Sequence, residues 1–239
     1  MLDIFGEVAM QKIFRCFGLL LLAIFFLKNS AAAVVHLEDQ QSNEKNIPLS
    51  SSQAWVSDTA LRVDATEKGH DLSYIYLRPE QMLYIVDHKT KTYRQVDQAK
   101  LQAEHAKGYD IVPMQFTRFG EYINMDTKQC KFYNGLKLDH KQADVWTADP
   151  RQLGISSDAY KTMQASRQFL QAYASEAAAF FHAGSRQWET DKGYSGVPVK
   201  TVTYGKKGNL ARSIELSKIE QVDVNDDFFA LPQGYKKAL

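Results

Sequence analysis

The chain has 239 residues, a formal net charge of +1 and 44% hydrophobic residues, which bounds it to one or two globular domains. The balance of charge excludes a nucleic-acid binder that works through a broad basic excess. Two cysteines among 239 residues exclude a disulfide-stapled scaffold.

The first segment differs from the rest. Lys12 and Arg15 precede an uncharged apolar run from Phe17 to Leu27, and Ala31-Ala32-Ala33 follows. A basic flank, a short apolar core and small residues at the Ala-x-Ala spacing predict a signal peptide cut after Ala33, with Ala32 as the alternative. A membrane anchor is the competing reading, but Lys28 ends the run short of the roughly 20 residues a crossing helix needs. Met10 offers a cleaner start than Met1, because Asp3 and Glu7 offset the basic flank. Removal of residues 1–33 leaves 26 of 29 bases and 26 of 28 acids, so the mature chain is neutral and gains no stable membrane span. Only Cys130 remains, read as a buried small hydrophobe.

Residues 34–53 are rich in Ser, Gln and Asn and are expected to form a flexible polar arm before a single domain over 54–239. Ala54 to Ala65 alternates in the manner of a half-buried strand. Leu72 to Leu77 and Met82 to Val86 are dense in Tyr, Ile and Val. Asp87-His88-Lys89-Thr90 reads as a solvated turn before Lys91 to Val96. Asp97 to Ala106 predicts a short helix. Met114 to Asn124 reads as a strand, Lys128 to Leu138 as a hairpin turning at Asn134-Gly135, and Ala143 to Thr147 as a further strand. Ser157 caps a long amphipathic helix carrying Tyr160, Met163, Leu170, Tyr173, Ala177, Phe180 and Phe181, which reaches His182 before Gly184. Val197 to Tyr204 and Asn209 to Val222 form a last hairpin around residues 205–208, and the chain closes on an aromatic tail. Short strands in hairpin order with one long helix predict an α+β fold with an antiparallel sheet and the helix across one face.

Several of these segments, in this order, resemble a family of uncharacterised exported bacterial proteins: Tyr74-Ile75-Tyr76, Met82 to Tyr93, Cys130-Lys131-Phe132-Tyr133, Val145-Trp146-Thr147, Gly196-Val197-Pro198-Val199 and Phe229 to Tyr235. That family is similar to the lipoprotein-carrier (LolA/LolB-like) superfamily. The resemblance covers Trp55 to Tyr235. It implies a curved antiparallel sheet forming an incomplete barrel, with helix in or across its concave face, and a periplasmic location.

Chemistry is sparse in the residues themselves. The six histidines (36, 70, 88, 105, 140 and 182) lack ligand spacing with each other or with Cys130, so neither metal nor cofactor is expected. Gly193-Tyr194-Ser195-Gly196 lacks the spacing of a nucleophile elbow. Both faces of Leu72 to Leu77 and Met82 to Val86 are apolar, so the sheet is either covered twice or carries something apolar. The latter reading makes Tyr74, Tyr76, Tyr84, Phe116, Phe132, Trp146, Tyr173, Phe180 and Phe181 candidate contacts for a lipid or other apolar ligand. A protein of the envelope with a filled core, binding a protein partner, is the alternative, and a hydrolase the third.

Overall fold

The computed structural model describes residues 33–67, 69–106, 115–125, 128–137, 140–173, 193–205, 207–225 and 227–238. Val34–Leu239 forms one compact unit. Its strands are β1 (Val34–Asn43), β2 (Pro48–Val56), β3 (Ala60–Glu67), β4 (His70–Leu77), β5 (Met82–Asp87), β6 (Thr92–Val96), β7 (Gln115–Met125), β8 (Lys128–Lys137), β9 (His140–Ala148), β10 (Val197–Tyr204), β11 (Leu210–Val222) and β12 (Lys236–Lys237). Helix α1 spans Gln98–Ala106 and α2 spans Ser157–Tyr173, after a 3-10 turn at Pro150–Leu153.

All twelve strands form one open sheet in the order β12-β6-β5-β4-β3-β2-β1-β11-β10-β9-β8-β7. Only the two-residue β12 is parallel to its neighbour. The sheet is open, α2 packs on it at β2 and β3, and one core cluster runs from Val96 of β6 to Cys130 of β8.

Register explains which side chains meet. Val35, Val56, Leu61, Tyr76, Leu83 and Val96 form one row across six strands, and Leu37, Ala54, Val63, Tyr74 and Ile85 form the next. All are buried on the inner face. The alternate row, His36, Trp55, Arg62, Ile75, Tyr84 and Gln95, lies on the outer face. In α2, Ala159, Thr162, Met163, Ser166, Phe169 and Leu170 are buried and recur at one-face helical spacing. Asp58 fixes the start of the helix. Its backbone carbonyl accepts from Thr162 Oγ1 at 2.7 Å, and its carboxylate accepts from Ser156 Oγ.

Four expectations change. The polar arm is in fact two strands, and β1 sits mid-sheet between β2 and β11. Its polar residues misled because they are buried in pairs: Ser52 Oγ donates to Asp39 Oδ2 at 2.8 Å. Ala54 to Ala65 is broken at Ser57–Thr59, where Ser57 Oγ accepts from the Ala60 amide at 3.0 Å. Asn134-Gly135 lies within β8, because Asn134 Nδ2 donates to Asp144 across the ladder. The capping residue of α2 is Ser156, whose Oγ accepts from the Ala159 amide at 3.0 Å, and the helix is described only to Tyr173. Ala177, Phe180, Phe181 and His182 lie outside the described residues.

Candidate functional site

The expected ligand-contact residues fall in several places. Tyr74 and Tyr76 are buried on the inner face, and Tyr76 packs on Phe169 of α2 with ring centroids 5.2 Å apart. Burial raises the Tyr76 hydroxyl above its ordinary pKa, against the opposing pull of Arg78. Phe116 meets Tyr194 edge-on at 5.1 Å, and Tyr194 also adjoins Tyr133. Phe132 and Trp146 pair across β8 and β9 at 4.8 Å. Tyr84 is on the outer face beside Tyr93. Tyr173 donates from its hydroxyl to the Lys100 carbonyl at 3.3 Å. Phe180 and Phe181 lie outside the described residues.

The C-terminal tail packs on the outer face, at Trp55 and Arg62 through Phe228 and at His88 through Tyr235. Ile75 and Val86 point outward and are buried all the same. Phe228 lies against Trp55 at 5.2 Å, and Trp55 stacks in turn on His36 at 4.7 Å. The Arg62 guanidinium sits 4.7 Å over the Phe228 ring and donates from Nη1 to the Phe228 carbonyl at 3.1 Å.

A chain of polar contacts joins this anchor to a second one. Arg62 Nε donates to Asp64 Oδ1 at 2.8 Å, Ser73 Oγ lies 2.6 Å from the same oxygen, His88 Nε2 lies 2.7 Å from Ser73 Oγ, and His88 Nδ1 lies 3.0 Å from the Tyr235 hydroxyl. His88, expected to be a solvated turn residue, is thus held at both nitrogens. Asp64, Ser73 and His88 line a polar cleft of about 300 Å³ together with Ser51, Gln53 and Asp71.

A Ser, a His and an Asp in one cleft invite comparison with a hydrolytic triad, but the proton pattern differs. Ser73 has a single proton, and Asp64, an acceptor only, takes it. His88 Nε2 then donates to Ser73 Oγ, and Nδ1 meets the Tyr235 hydroxyl. A histidine oriented this way cannot take a proton from the serine, and the carboxylate contacts the serine instead of the imidazole. Ser73 is also only 1% exposed. The arrangement braces the tail.

Beside the polar cleft, Asp87 organises the β5–β6 turn. Burial works against its ionised form. Hydrogen bonds from the Thr90 and Lys89 amides and from His70, at 2.8 Å, outweigh it and hold the carboxyl below its ordinary range. On the far side of the sheet, Asp144 is buried and contacts the Tyr204 hydroxyl at 2.6 Å and Lys141 Nζ at 2.8 Å. Burial and then the Asp144 contact raise the Tyr204 pKa.

An apolar groove of about 310 Å³ lies between β6, α1, α2 and β12, lined by Val96, Ala103, Tyr173 and Ala238 with Arg94 and Lys100 at its rim. Of the candidate contacts, Tyr173 lines it. No cluster of three metal-ligating side chains occurs among the described residues. No helix among them is long and apolar enough to cross a membrane.

The residues that sequence reasoning missed are Trp55, Arg62, Phe228 and Tyr235. The one available signal was the aromatic run that ends the chain.

Comparison with solved structures gives distant likenesses. An uncharacterised conserved protein from Thermus thermophilus is 9% identical with a TM-score of 0.45, over 88% of this chain and 92% of that one. MucB, in the MucA/MucB complex of Pseudomonas aeruginosa, is 11% identical with a TM-score of 0.39, over 83% of this chain and 56% of that one. This chain thus spans about half the length of MucB. An outer membrane lipoprotein-sorting protein domain from Vibrio parahaemolyticus is 10% identical with a TM-score of 0.21, over 84% of this chain and 91% of that one. No curated protein matches the chain in sequence. A family model described as a domain of unknown function, DUF4412, matches residues 39–235 and so takes in the second half of β1 and all of β2 as well as the segments that carried the resemblance. The chain belongs to the DUF4412 family.

Proposed function

We propose that this protein is exported to the periplasm and works there by binding, as an accessory protein of the cell envelope whose filled interior serves as scaffold. The observation that carries this reading is the packing beneath α2, where Thr162, Met163, Ser166 and Leu170 are wholly buried against the sheet. A carrier that holds acyl chains needs that space. Export is supported by the basic, apolar and Ala-x-Ala pattern of residues 12–33, and by a compact unit that begins at Val34, directly after the expected cut. A protein partner is supported by β7, an eleven-residue strand at the sheet edge, laddered only to β8 among the described residues. Such an edge accepts an added strand.

The apolar groove beside Tyr173 favours a second reading, an apolar ligand with an acidic head. Its volume is at the small end for a ligand pocket, and Arg94 and Lys100 stand at its rim.

Native mass spectrometry of protein purified without detergent from the periplasm of an exporting host tests both. Recovery there with Val34 as first residue, and a mass unchanged after incubation with phospholipid or fatty acid, supports the accessory reading. A bound mass removed by organic solvent moves the assignment to a lipid carrier. Retention of residues 1–33 in the cytoplasm overturns export.

A further inference from the structure

The two ends of the sheet differ in charge. The ladders place five strand connections at one end, those following β1, β3, β5, β8 and β10. Lys45, Lys89, Lys91, Lys207 and Lys236 are exposed there, and Lys141 is paired with Asp144. The acids described at the same end are engaged. Glu44 accepts from Asn209, Asp71 from Thr66, and Asp87 from its own turn. The opposite end carries Glu80, Asp223 and Asp227 exposed, and of its bases Arg78, Arg151 and Lys161 are paired with Asp158 or Asp149, while Lys100 donates to the Gln95 carbonyl.

Ile47 and Leu49 lie at the basic end, 52% and 53% exposed, the large aliphatic side chains most open to solvent among the described residues. They flank Pro48 at the β1–β2 tip, and this tip is well organised. Asn43 Oδ1 accepts from the Lys45 and Ile47 amides at 2.9 and 3.0 Å, and Asn46 takes a positive φ of 57° to complete the turn. The contact between Asn209 and Glu44 holds the Lys207 turn beside it. Aliphatic tips with lysines on the same and neighbouring turns match a surface that offers negative charge and hydrocarbon together, which an anionic bilayer does and a nucleic acid backbone does not.

We propose that the end of the sheet bearing Ile47 and Leu49 docks on an anionic lipid bilayer, with the two aliphatic side chains entering the interface and the surrounding lysines meeting the headgroups. The protein is then oriented by the separation of its charges, lysine end toward the membrane and carboxylate end away. This docking involves the outside of the fold, so it stands or falls separately from any lipid held within.

Flotation of the protein, purified without detergent, with vesicles of phosphatidylcholine and phosphatidylglycerol tests it, against vesicles of phosphatidylcholine alone. Binding to the anionic vesicles, weakened by salt, is expected. Ile47→Asp with Leu49→Asp should lower it about tenfold or more. Lys45→Glu with Lys207→Glu should lower it about twenty-five-fold or more, at roughly fivefold per lysine lost and with the added repulsion of two carboxylates. All four positions are exposed, so the unfolding midpoint should stay at the wild-type value. Absence of flotation, retention of full binding in the Ile47/Leu49 variant, or binding to a soluble polyanion such as heparin without binding to vesicles would each overturn the proposal.

Discussion

Phe228 lies edge-on against Trp55, with ring centroids 5.2 Å apart, and the Arg62 guanidinium sits over its ring. Two residues far apart in the chain thus close the outer face of the sheet at one point. Truncating the ring removes apolar contact, an aromatic pair and a cation–π contact together. Because Phe228 is half-buried, Phe228→Ala should cost about 1–2 kcal/mol. Urea unfolding followed by tryptophan fluorescence reads this, with Trp55 itself reporting on the loss of its neighbour. An unchanged midpoint would mean that the tail does not contribute to the fold.

The second anchor of the tail depends on a buried hydroxyl. Ser73 is shared by Asp64, His88 and Arg62, and replacing it leaves three polar groups short of a partner. Ser73→Ala should therefore cost about 1–3 kcal/mol, more than the loss of one exposed hydrogen bond. Tyr235→Phe removes only the outermost link and should cost less than about 1 kcal/mol. The order of the two midpoints in urea checks that Ser73 is the hub of these contacts and Tyr235 their outermost link. Equal effects would contradict it.

Local pattern made part of this architecture legible. The β5–β6 hairpin follows from alternation around Asp87-His88-Lys89-Thr90, and α1 from Asp97, whose carboxylate accepts from the Lys100 amide at 2.9 Å. What failed was polarity taken as exposure. Asp39, Gln41 and Ser52 read as a solvated arm but are buried in strands, and Asp39 and Ser52 satisfy each other across the ladder. Asn134-Gly135 carries a hairpin signature but sits mid-strand, where Gly135 pairs with Ala143 and faces Phe116. The brace was beyond sequence reasoning for a different reason. His88 finds Tyr235 at a separation of 147 residues, and only the completed fold brings them together.

Asp87 gives the fold an acid-sensitive component. Its folded pKa is lowered, so its contribution is present above the unfolded carboxylate value of about 3.9 and is lost as pH falls through the folded one. Wild-type protein should lose stability between about pH 5 and pH 3, and Asp87→Asn should lose less over the same range while being weaker at neutral pH. Urea midpoints at the two pH values for each protein give the comparison. Parallel losses would show that other carboxylates govern the acid limb.

The sharpest prediction concerns Gly196, which enters β10 with a φ of +89°. A Cβ built there would come within 2.8 Å of the Ala148 carbonyl oxygen and 3.1 Å of Thr147 Oγ1. The first of these is backbone within the β9–β10 ladder, where Val197 pairs with Ala148, so it cannot swing aside as a side-chain tip would. Both the dihedral and the contact thus oppose any L-residue. Gly196→Ala should destabilise the fold by about 2–4 kcal/mol. Gly208→Ala is the control: it also has a positive φ, of 74°, but meets nothing within 4 Å of its Cβ. It bears the dihedral cost alone, about 1 kcal/mol. If the two variants unfold at the same urea concentration, the close approach of β9 to β10 at Ala148 is not what the glycine serves.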